Sequence, residues 1–234
     1  MDVQSNSKSA VIAYCTGAKI RIGHGKGEAK EISAWLNNRL VDAEPAVPHI
    51  FMRNLRLLSI LGMAETAPQF NLPHFPFCAQ HVKQSLQALG IQRPFVLLVS
   101  FTGKAAKEWQ PQHFTRLAER LSQSGIPVVF LHSPGRTNET QRLLPVPHNA
   151  PVVLSPLFTI QDMLELIRCA HAVVGGDTGP VHIAGALNIP TFSLFGPTDP
   201  KRSKPWGSTT VYLLDALPEQ VANDIEAHWK QNRL

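Results

Sequence analysis

The sequence has few cysteines and no arrangement of side chains that is typical of a metal site. Its 234 residues include only Cys15, Cys78 and Cys169. This odd, widely spaced set excludes a disulfide framework and a zinc knuckle, so we expect three free thiols. No Asp-x-Asp motif occurs, and the histidines considered as ligands show no paired ligand spacing: His24, His74, His81, His113 and His132. We therefore expect neither a metal site nor a cofactor.

Long apolar runs and basic runs interleaved with aromatics are also missing. No stretch approaches eighteen apolar residues, and the chain begins with Asp2-Val3-Gln4 rather than a basic and then apolar leader. We expect neither a membrane span nor a signal peptide, and hence a cytoplasmic protein. The net charge of +5 favours acidic partners such as a nucleotide, a phosphorylated acceptor or an anionic membrane surface, with simple solubility as the alternative. Nucleic acid is disfavoured.

From about Phe95 onward, short apolar runs alternate with segments of helical period. Segments such as Phe114, Leu117, Ala118 and Leu121 have apolar residues three and four positions apart, which predicts amphipathic helices. Six strands are predicted between them: Phe95–Ser100, Pro127–His132, Val152–Leu154, Ala172–Gly175, Pro190–Leu194 and Thr210–Leu214. Strands and helices in this order indicate a doubly wound, parallel α/β domain.

The segment "GGDTGPVH", from Gly175 to His182, is the most informative motif. It follows the apolar run Ala172-Val173-Val174 and opens a helix predicted from Val181 to Leu187. A strand, a glycine turn and a helix start aim backbone N–H groups at one point, where a phosphate can bind. The next strand ends in the loop Phe195 to Pro200, at the same edge of the sheet. The two loops predict a nucleotide pocket.

Each residue of this motif has a structural alternative. Thr178 is placed to cap the helix, either alone or while also contacting a phosphate. Gly179 permits close approach of a ligand, although a tight turn also favours glycine. His182 is interpreted as a donor contact, against a core histidine. Asp177 is interpreted as a sugar or ribose contact, against a turn residue, since a carboxylate beside phosphates needs hydroxyls to accept from.

Three segments resemble the ADP-heptose:lipopolysaccharide heptosyltransferases, glycosyltransferase family 9. They are "VVGGDTGPVHIAGALNIPTFSLFGPTDPKRSKPWG" from Val173, "TGKAAKEWQPQHFTRLAERL" from Thr102, and "DVQSNSKSA" from Asp2, where Ser5 replaces the family's usual glycine. The resemblance covers nearly the whole chain. It implies a GT-B fold, with two Rossmann-like domains, and a donor held mainly by the second.

The resemblance also implies a domain division. Residues 1–80 would be a partial acceptor-side domain with its linker, residues 81–216 the donor-binding domain, and residues 217–234 a helix that packs back towards the first domain. We expect the chain to be truncated at its N-terminus. The family's catalytic base would lie upstream of Met1, so no catalytic residue is assigned, and we expect donor binding without transfer.

The resemblance assigns further residues to the donor site. Lys107 falls where the family places a lysine on the donor phosphates, against a solvated loop lysine as the alternative, and Thr102 aligns with a phosphate-binding hydroxyl. Glu139 and Phe158 match positions that contact the ribose and the base. Lys8 is the matching basic residue on the acceptor side.

The implied function is inverting, metal-independent transfer of heptose from an ADP-activated donor to the lipopolysaccharide inner core. Peripheral contact with the cytoplasmic face of the inner membrane is part of this expectation. Two alternatives remain open at this point. One is a nucleotide-sugar-binding remnant without turnover, and the other is a different GT-B glycosyltransferase or epimerase.

Overall fold

The computed structural model describes residues 1–25, 27–63, 67–92 and 94–231. The chain divides into two compact units, Met1–Gln69 and Phe70–Leu234. The sequence placed this boundary near residue 80. The structure assigns residues 70–80 to the second unit because they lead directly into its first helix, Pro76–Ala88.

The first unit is built around a two-stranded parallel sheet. Its elements are α1 (Ser7–Cys15), β1 (Ile22–His24), α2 (Ser33–Leu36), β2 (Arg39–Val41), α3 (Ile50–Arg56) and a 3-10 turn (Leu57–Leu61) that ends at Gly62 with φ of 75°. The sequence also predicts a short strand at Lys19–Ile22, but β1 begins only at Ile22. Asn38 explains the shift: its side chain donates to the Lys19 carbonyl and accepts from the Arg21 amide, which replaces ladder bonds there.

A buried carboxylate shapes the turn before α1. Asp2 is 4% exposed, and its Oδ1 accepts from the amides of Gln4 and Ser5, each at 3.1 Å. Ser5 has a φ of 55°, in the left-handed region that favours glycine. The glycine usual in the resembled family at this position therefore has a backbone reason, and Ser5 adopts the same conformation.

The second unit contains a six-stranded parallel sheet. Its strands are β3 (Val96–Val99), β4 (Val128–Phe130), β5 (Val152–Leu154), β6 (Ala172–Gly176), β7 (Thr191–Phe195) and β8 (Thr209–Leu213), in the spatial order β5-β4-β3-β6-β7-β8. All six predicted strands are confirmed to within two residues. The chain reverses its direction of winding between β3 and β6, and ligands of such sheets bind at the carboxyl ends of the strands at this switch point.

Helices cover both faces of this sheet. They are α4 (Pro76–Ala88), α5 (Pro111–Gln123), α6 (Thr137–Gln141), α7 (Ile160–Cys169), α8 (Gly179–Ala186), α9 (Pro200–Ser203) and α10 (Pro218–Gln231), with a 3-10 turn at Ala105–Lys107. Helices α5 and α10 contribute to one apolar cluster, and α4, α7 and α8 contribute to the other. Helix α10, which we expected to pack back towards the first domain, packs against α5 of its own unit, where Arg120 and Ser124 bond Glu226.

The helices that follow β5 and β6 begin in different ways. At α7, the Thr159 hydroxyl accepts from the Asp162 amide at 3.1 Å and the Asp162 carboxylate accepts from the Thr159 amide at 3.2 Å, a reciprocal capping box. Thr178 stands at the N-cap of α8, but its side chain makes no capping bond, so that prediction is wrong. Pro180 supplies no N–H, and the Val181 amide donates to the Thr178 carbonyl, which removes the donors that a cap would serve.

We predict stability losses of different size when these two threonines are replaced. Thr159→Ala should lower the free energy of unfolding by about 1 kcal/mol, the usual cost of losing a cap. Thr178→Ala should cost less than about half of that, because no capping bond is lost. Urea denaturation of both variants measures the difference, and an equal loss in the two would contradict the assignment of the caps.

Two histidines meet at the amino edge of the sheet. His171, just before β6, lies 5.1 Å from His228 of α10 and 4.7 Å from Trp229, measured between ring centroids. Burial lowers the pKa of both imidazoles, and the neighbouring His228 lowers the pKa of His171 further. The His171 Nε2 is also buried without a hydrogen-bond partner among the described residues. The fold therefore favours two neutral rings.

This pair should make the second unit less stable in acid. A histidine whose pKa falls on folding stabilises the fold fully above its unfolded pKa of about 6.5, and that contribution is lost as the pH drops below this value. From about pH 7.5 to about pH 5.5, the double variant His171→Gln/His228→Gln should lose less free energy of unfolding than the parent chain. Urea titrations at both pH values give the free energy of unfolding of each protein. If the parent chain and the double variant lose the same free energy of unfolding between these pH values, the histidine pair does not contribute to the acid response.

Candidate functional site

Three loops meet at the carboxyl edge of the sheet around the switch point. They follow β3, β6 and β7, and glycines let them come together. A Cβ on Gly176 would lie 2.8 Å from Thr102 Cγ2 and 3.0 Å from the Lys107 carbonyl oxygen, and one on Gly196 would lie 3.1 Å from the Ala106 carbonyl oxygen. A side chain at either position would push the loop after β3 away. The glycines thus bring residues distant in sequence into one site.

Lys107, Asp177 and His182 form the centre of this site. The Lys107 Nζ lies 2.6 Å from Asp177 Oδ2, and the His182 Nε2 lies 2.9 Å from Asp177 Oδ1. The three side chains are 21%, 10% and 30% exposed, respectively, so the carboxylate is the most shielded of them. The structure therefore brings together three residues that the sequence assigned to donor binding on separate grounds. Lys107 is an ion-paired residue and not a solvated loop lysine.

The Asp177 carboxyl is held in its ionised form. Burial raises its pKa, but hydrogen bonds from Lys107 and His182 outweigh burial and leave the pKa below the ordinary value. The carboxylate accepts from both partners, so it fixes the Lys107 ammonium and makes Nε2 of His182 a donor. The sequence analysis required donors for a carboxylate that lies beside phosphates. In the structure, Lys107 and His182 are such donors, and they offset the negative charge of Asp177. Its contact with a sugar or ribose stays a prediction.

The start of α8 contributes backbone donors. The Val181 and His182 amides both donate to the Thr178 carbonyl, and Pro180 has no N–H. The amides of Thr178 and Gly179 are therefore the donors at this end that no described backbone carbonyl uses. A Cβ on Gly179 would meet nothing within 4 Å, and its φ is not positive. Neither packing nor backbone conformation requires glycine there. The open space is what close approach of a ligand needs, which stays a prediction for Thr178 and Gly179.

Thr102 organises the loop after β3. Its hydroxyl donates to the Lys104 carbonyl at 2.7 Å and accepts from the Lys104 amide at 3.2 Å, while its own amide donates to Glu108 Oε1 at 3.2 Å. These bonds shape the loop in the absence of a ligand. The phosphate contact expected of Thr102 stays a prediction, and the supporting role of Glu108 was not predicted.

Glu139 follows β4 and Phe158 follows β5, so both lie in the half of the sheet that ends at the β5 edge. Glu139 is on α6, exposed, with its carboxylate 4.0 Å from Arg136. Phe158 packs edge-on against His81, with ring centroids 5.7 Å apart. Among the residues that the structure describes, neither is joined to Asp177 by a hydrogen bond or ion pair. Their ribose and base contacts stay predictions.

The acceptor-side candidates belong to the first unit. Lys8 lies exposed on α1. Arg53 and Arg56 of α3 form ion pairs with Glu28 and Glu44, respectively. Contact of Lys8 with an acceptor stays a prediction.

Thr198 was missed by the sequence analysis. It lies in the loop after β7, and its hydroxyl is close enough to Asp177 to contribute to the lowered pKa of that carboxyl. The signal was present, since the motif "FGPTDP" follows a predicted strand and ends at the same edge of the sheet. Nothing in the sequence distinguished this threonine from its neighbours in the loop.

The described parts of the chain carry neither a metal cluster nor a membrane-spanning helix. No group of three or more His, Cys, Asp or Glu side chains is placed to hold a metal ion. No described helix has both the length and the apolar character needed to cross a bilayer. Cys15, Cys78 and Cys169 are free thiols in the structure.

Among the proteins that this chain resembles are two lipopolysaccharide heptosyltransferases. The chain is 23% identical over 237 residues to the lipopolysaccharide core heptosyltransferase OpsX of Haemophilus influenzae, covering 98% of this chain and 67% of the relative. It is 26% identical over 200 residues to lipopolysaccharide heptosyltransferase 3 of Escherichia coli, covering 84% and 58%. The chain thus spans about three fifths to two thirds of the length of these two relatives.

The solved structures show the fold. A glycosyl transferase family 9 protein from Veillonella parvula matches with a TM-score of 0.83 at 16% identity, over 97% of this chain and 72% of that one. The E. coli heptosyltransferase WaaC with ADP matches with a TM-score of 0.75 at 23% identity, over 97% and 71%. The predicted α/β fold of the GT-B type is confirmed.

The family model described as glycosyltransferase family 9 (heptosyltransferase) matches residues 1–230. This match covers both compact units and every residue that contributes to the site. The chain therefore belongs to glycosyltransferase family 9, the heptosyltransferases.

Proposed function

We propose that this chain acts in transferring a heptose from an ADP-activated donor to the inner core of lipopolysaccharide. The relatives are named as lipopolysaccharide heptosyltransferases, and two of the similar solved structures contain ADP or an ADP-heptose analogue. The observation that carries the proposal in this chain is the Lys107–Asp177–His182 cluster beside the start of α8.

The cluster suits a departing nucleoside diphosphate. As the bond between sugar and phosphate breaks, negative charge grows on the diphosphate, and donors already fixed in place stabilise it most effectively. Lys107 supplies a full charge, and the amides of Thr178 and Gly179 add the positive end of α8. Asp177 keeps Lys107 in position without a ligand, so little reorganisation is needed when the donor binds.

We also propose that the transfer inverts the configuration at the anomeric carbon. Inversion at the anomeric carbon needs a base that deprotonates the acceptor hydroxyl, and we assign no residue of this chain to that role. Asp2, a carboxylate in the motif that resembles the family, is buried and accepts bonds from Gln4, Ser5 and Asn37, which makes it a structural residue.

The partners follow from the chemistry of the substrates. The acceptor is anionic, which suits the chain's charge of +5, and Lys8 is proposed to meet it. We further propose a cytoplasmic location with peripheral contact at the inner membrane, where a lipid-anchored acceptor would be presented.

Lys107 should be the main cation for the diphosphate. Lys107→Ala should weaken ADP binding about tenfold to a hundredfold, because it removes a charge-assisted contact of about 1.5 to 3 kcal/mol. Lys104→Ala is the matched control, since Lys104 is exposed in the same loop. Isothermal titration calorimetry with ADP measures both.

The control separates a local contact from general charge. If both lysine variants lose affinity equally, the effect is long-range attraction and Lys107 has no special place. If neither loses affinity while the parent chain binds ADP, the nucleotide does not use this cluster and the proposed site is wrong.

Metal should not contribute to ADP binding. We propose that Lys107 and backbone amides neutralise the phosphates where other transferases use a carboxylate-held divalent ion. Removing divalent ions with EDTA should leave the dissociation constant for ADP within about twofold. A tenfold loss of affinity, equivalent to about 1.4 kcal/mol, would overturn the metal-independent mechanism.

A further inference from the structure

The first unit exposes several large apolar side chains. Trp35, on α2, is 85% exposed, Ile20 is 59% exposed, and Tyr14, near the end of α1, is 55% exposed. Single apolar residues on a surface are ordinary, but a group of them marks a place where a protein meets a partner. These three residues are therefore candidates for a docking surface.

Arg21 ties together the segments that carry these side chains. Its guanidinium carbon lies 5.1 Å from the centroid of the Tyr14 ring. Its Nε donates to the Leu36 carbonyl at 2.8 Å, and Leu36 directly follows Trp35 on α2. Ile20 directly precedes Arg21 in the chain. The exposed apolar residues thus belong to one region of the first unit, around Arg21.

The charges in this region are mostly positive. Of the acidic residues that the structure describes up to the end of β2, Asp2 and Glu28 are buried and only Glu31 is exposed. The described basic residues of the same stretch are all exposed or half-buried: Lys8, Lys19, Arg21, Lys30 and Arg39. This part of the unit therefore attracts an anionic surface.

A lipid bilayer fits this combination of groups better than a second protein. Tryptophan and tyrosine are enriched where a membrane meets water, because their rings are apolar and carry a polar N–H or O–H group. Basic side chains add attraction to anionic headgroups. Protein–protein interfaces are depleted of lysine, whereas Lys19 and Lys30 are both exposed here.

We propose that this surface, formed by Trp35, Ile20 and Tyr14 with the basic residues around them, docks the first unit on an anionic lipid bilayer. The inference deepens the peripheral contact proposed above and rests on the proposed function. Lys8, which is proposed to meet the acceptor, lies on α1, the helix that carries Tyr14. Docking would hold this helix at the membrane that presents a lipid-anchored acceptor.

The fluorescence of Trp35 tests the surface directly. Of the chain's four tryptophans, Trp109 and Trp229 are buried and Trp206 is half-buried, so Trp35 alone is exposed. Vesicles made of equal parts of phosphatidylcholine and phosphatidylglycerol should shift its emission to shorter wavelengths as the ring leaves water. Vesicles of phosphatidylcholine alone should shift it less. Trp35→Phe should still bind the anionic vesicles, measured by sedimentation, but lose the shift.

Variants separate the apolar and the basic contributions. Trp35→Ser should weaken binding to the anionic vesicles about tenfold, because it removes a large apolar contact. Lys19→Gln/Lys30→Gln should also weaken it about tenfold, because two cations near the headgroups are lost. Phe77→Ser, which removes an equally exposed ring from the second unit, is the matched control and should bind fully. Thermal unfolding verifies that each variant is folded.

Three results would overturn the proposal. They are no binding of the parent chain to anionic vesicles, equal losses in Trp35→Ser and Phe77→Ser, and a lipid-free self-association that Trp35→Ser abolishes, which would make a second copy the partner. Calorimetry with ADP keeps this inference apart from the proposed function. A chain that binds ADP but not vesicles loses only the docking surface, and one that binds vesicles but not ADP loses only the proposed transfer.

Discussion

The ion pair between Lys107 and Asp177 is the interaction on which the site depends. It joins the loop after β3 to the loop after β6 across the switch point of the sheet, with the two charged atoms 2.6 Å apart. Both side chains are mostly shielded from water, which strengthens their attraction. The same pair fixes the Lys107 ammonium at this edge of the sheet and leaves the Asp177 carboxylate next to it.

The Asp177 carboxylate lies between its two donors and the loop after β7. It accepts from Lys107 and His182, and it retains acceptor capacity towards the loop that carries Thr198. Under the proposed function, the Lys107 ammonium and the amides at the start of α8 face an anion, and the Asp177 carboxylate faces a neutral polar group. A nucleotide sugar has both kinds of group next to each other, at the bond that a transferase breaks.

The start of α8 shows how local covalent structure serves the same end. Pro180 removes a donor and the Val181 amide bonds the Thr178 carbonyl, so the helix needs no side-chain cap. At α7, where no proline intervenes, Thr159 and Asp162 form a full capping box. The two helices differ because Pro180 and the Val181–Thr178 bond leave α8 without a donor for a cap, whereas α7 keeps its donors.

Periodicity and turn chemistry in the sequence determined the doubly wound sheet and its six strands, because short apolar runs separated by amphipathic helices have few other ways to bury their surfaces. The motif from Gly175 to His182 located the strand, turn and helix of the site for the same local reasons. Tertiary structure alone decided which side chains meet. Lys107 and Asp177 are 70 positions apart, Thr178 does not cap its helix, and Thr198 comes close to Asp177 from another loop, because parallel strands bring distant loops to one edge and the packing of Gly176 and Gly196 sets their separation.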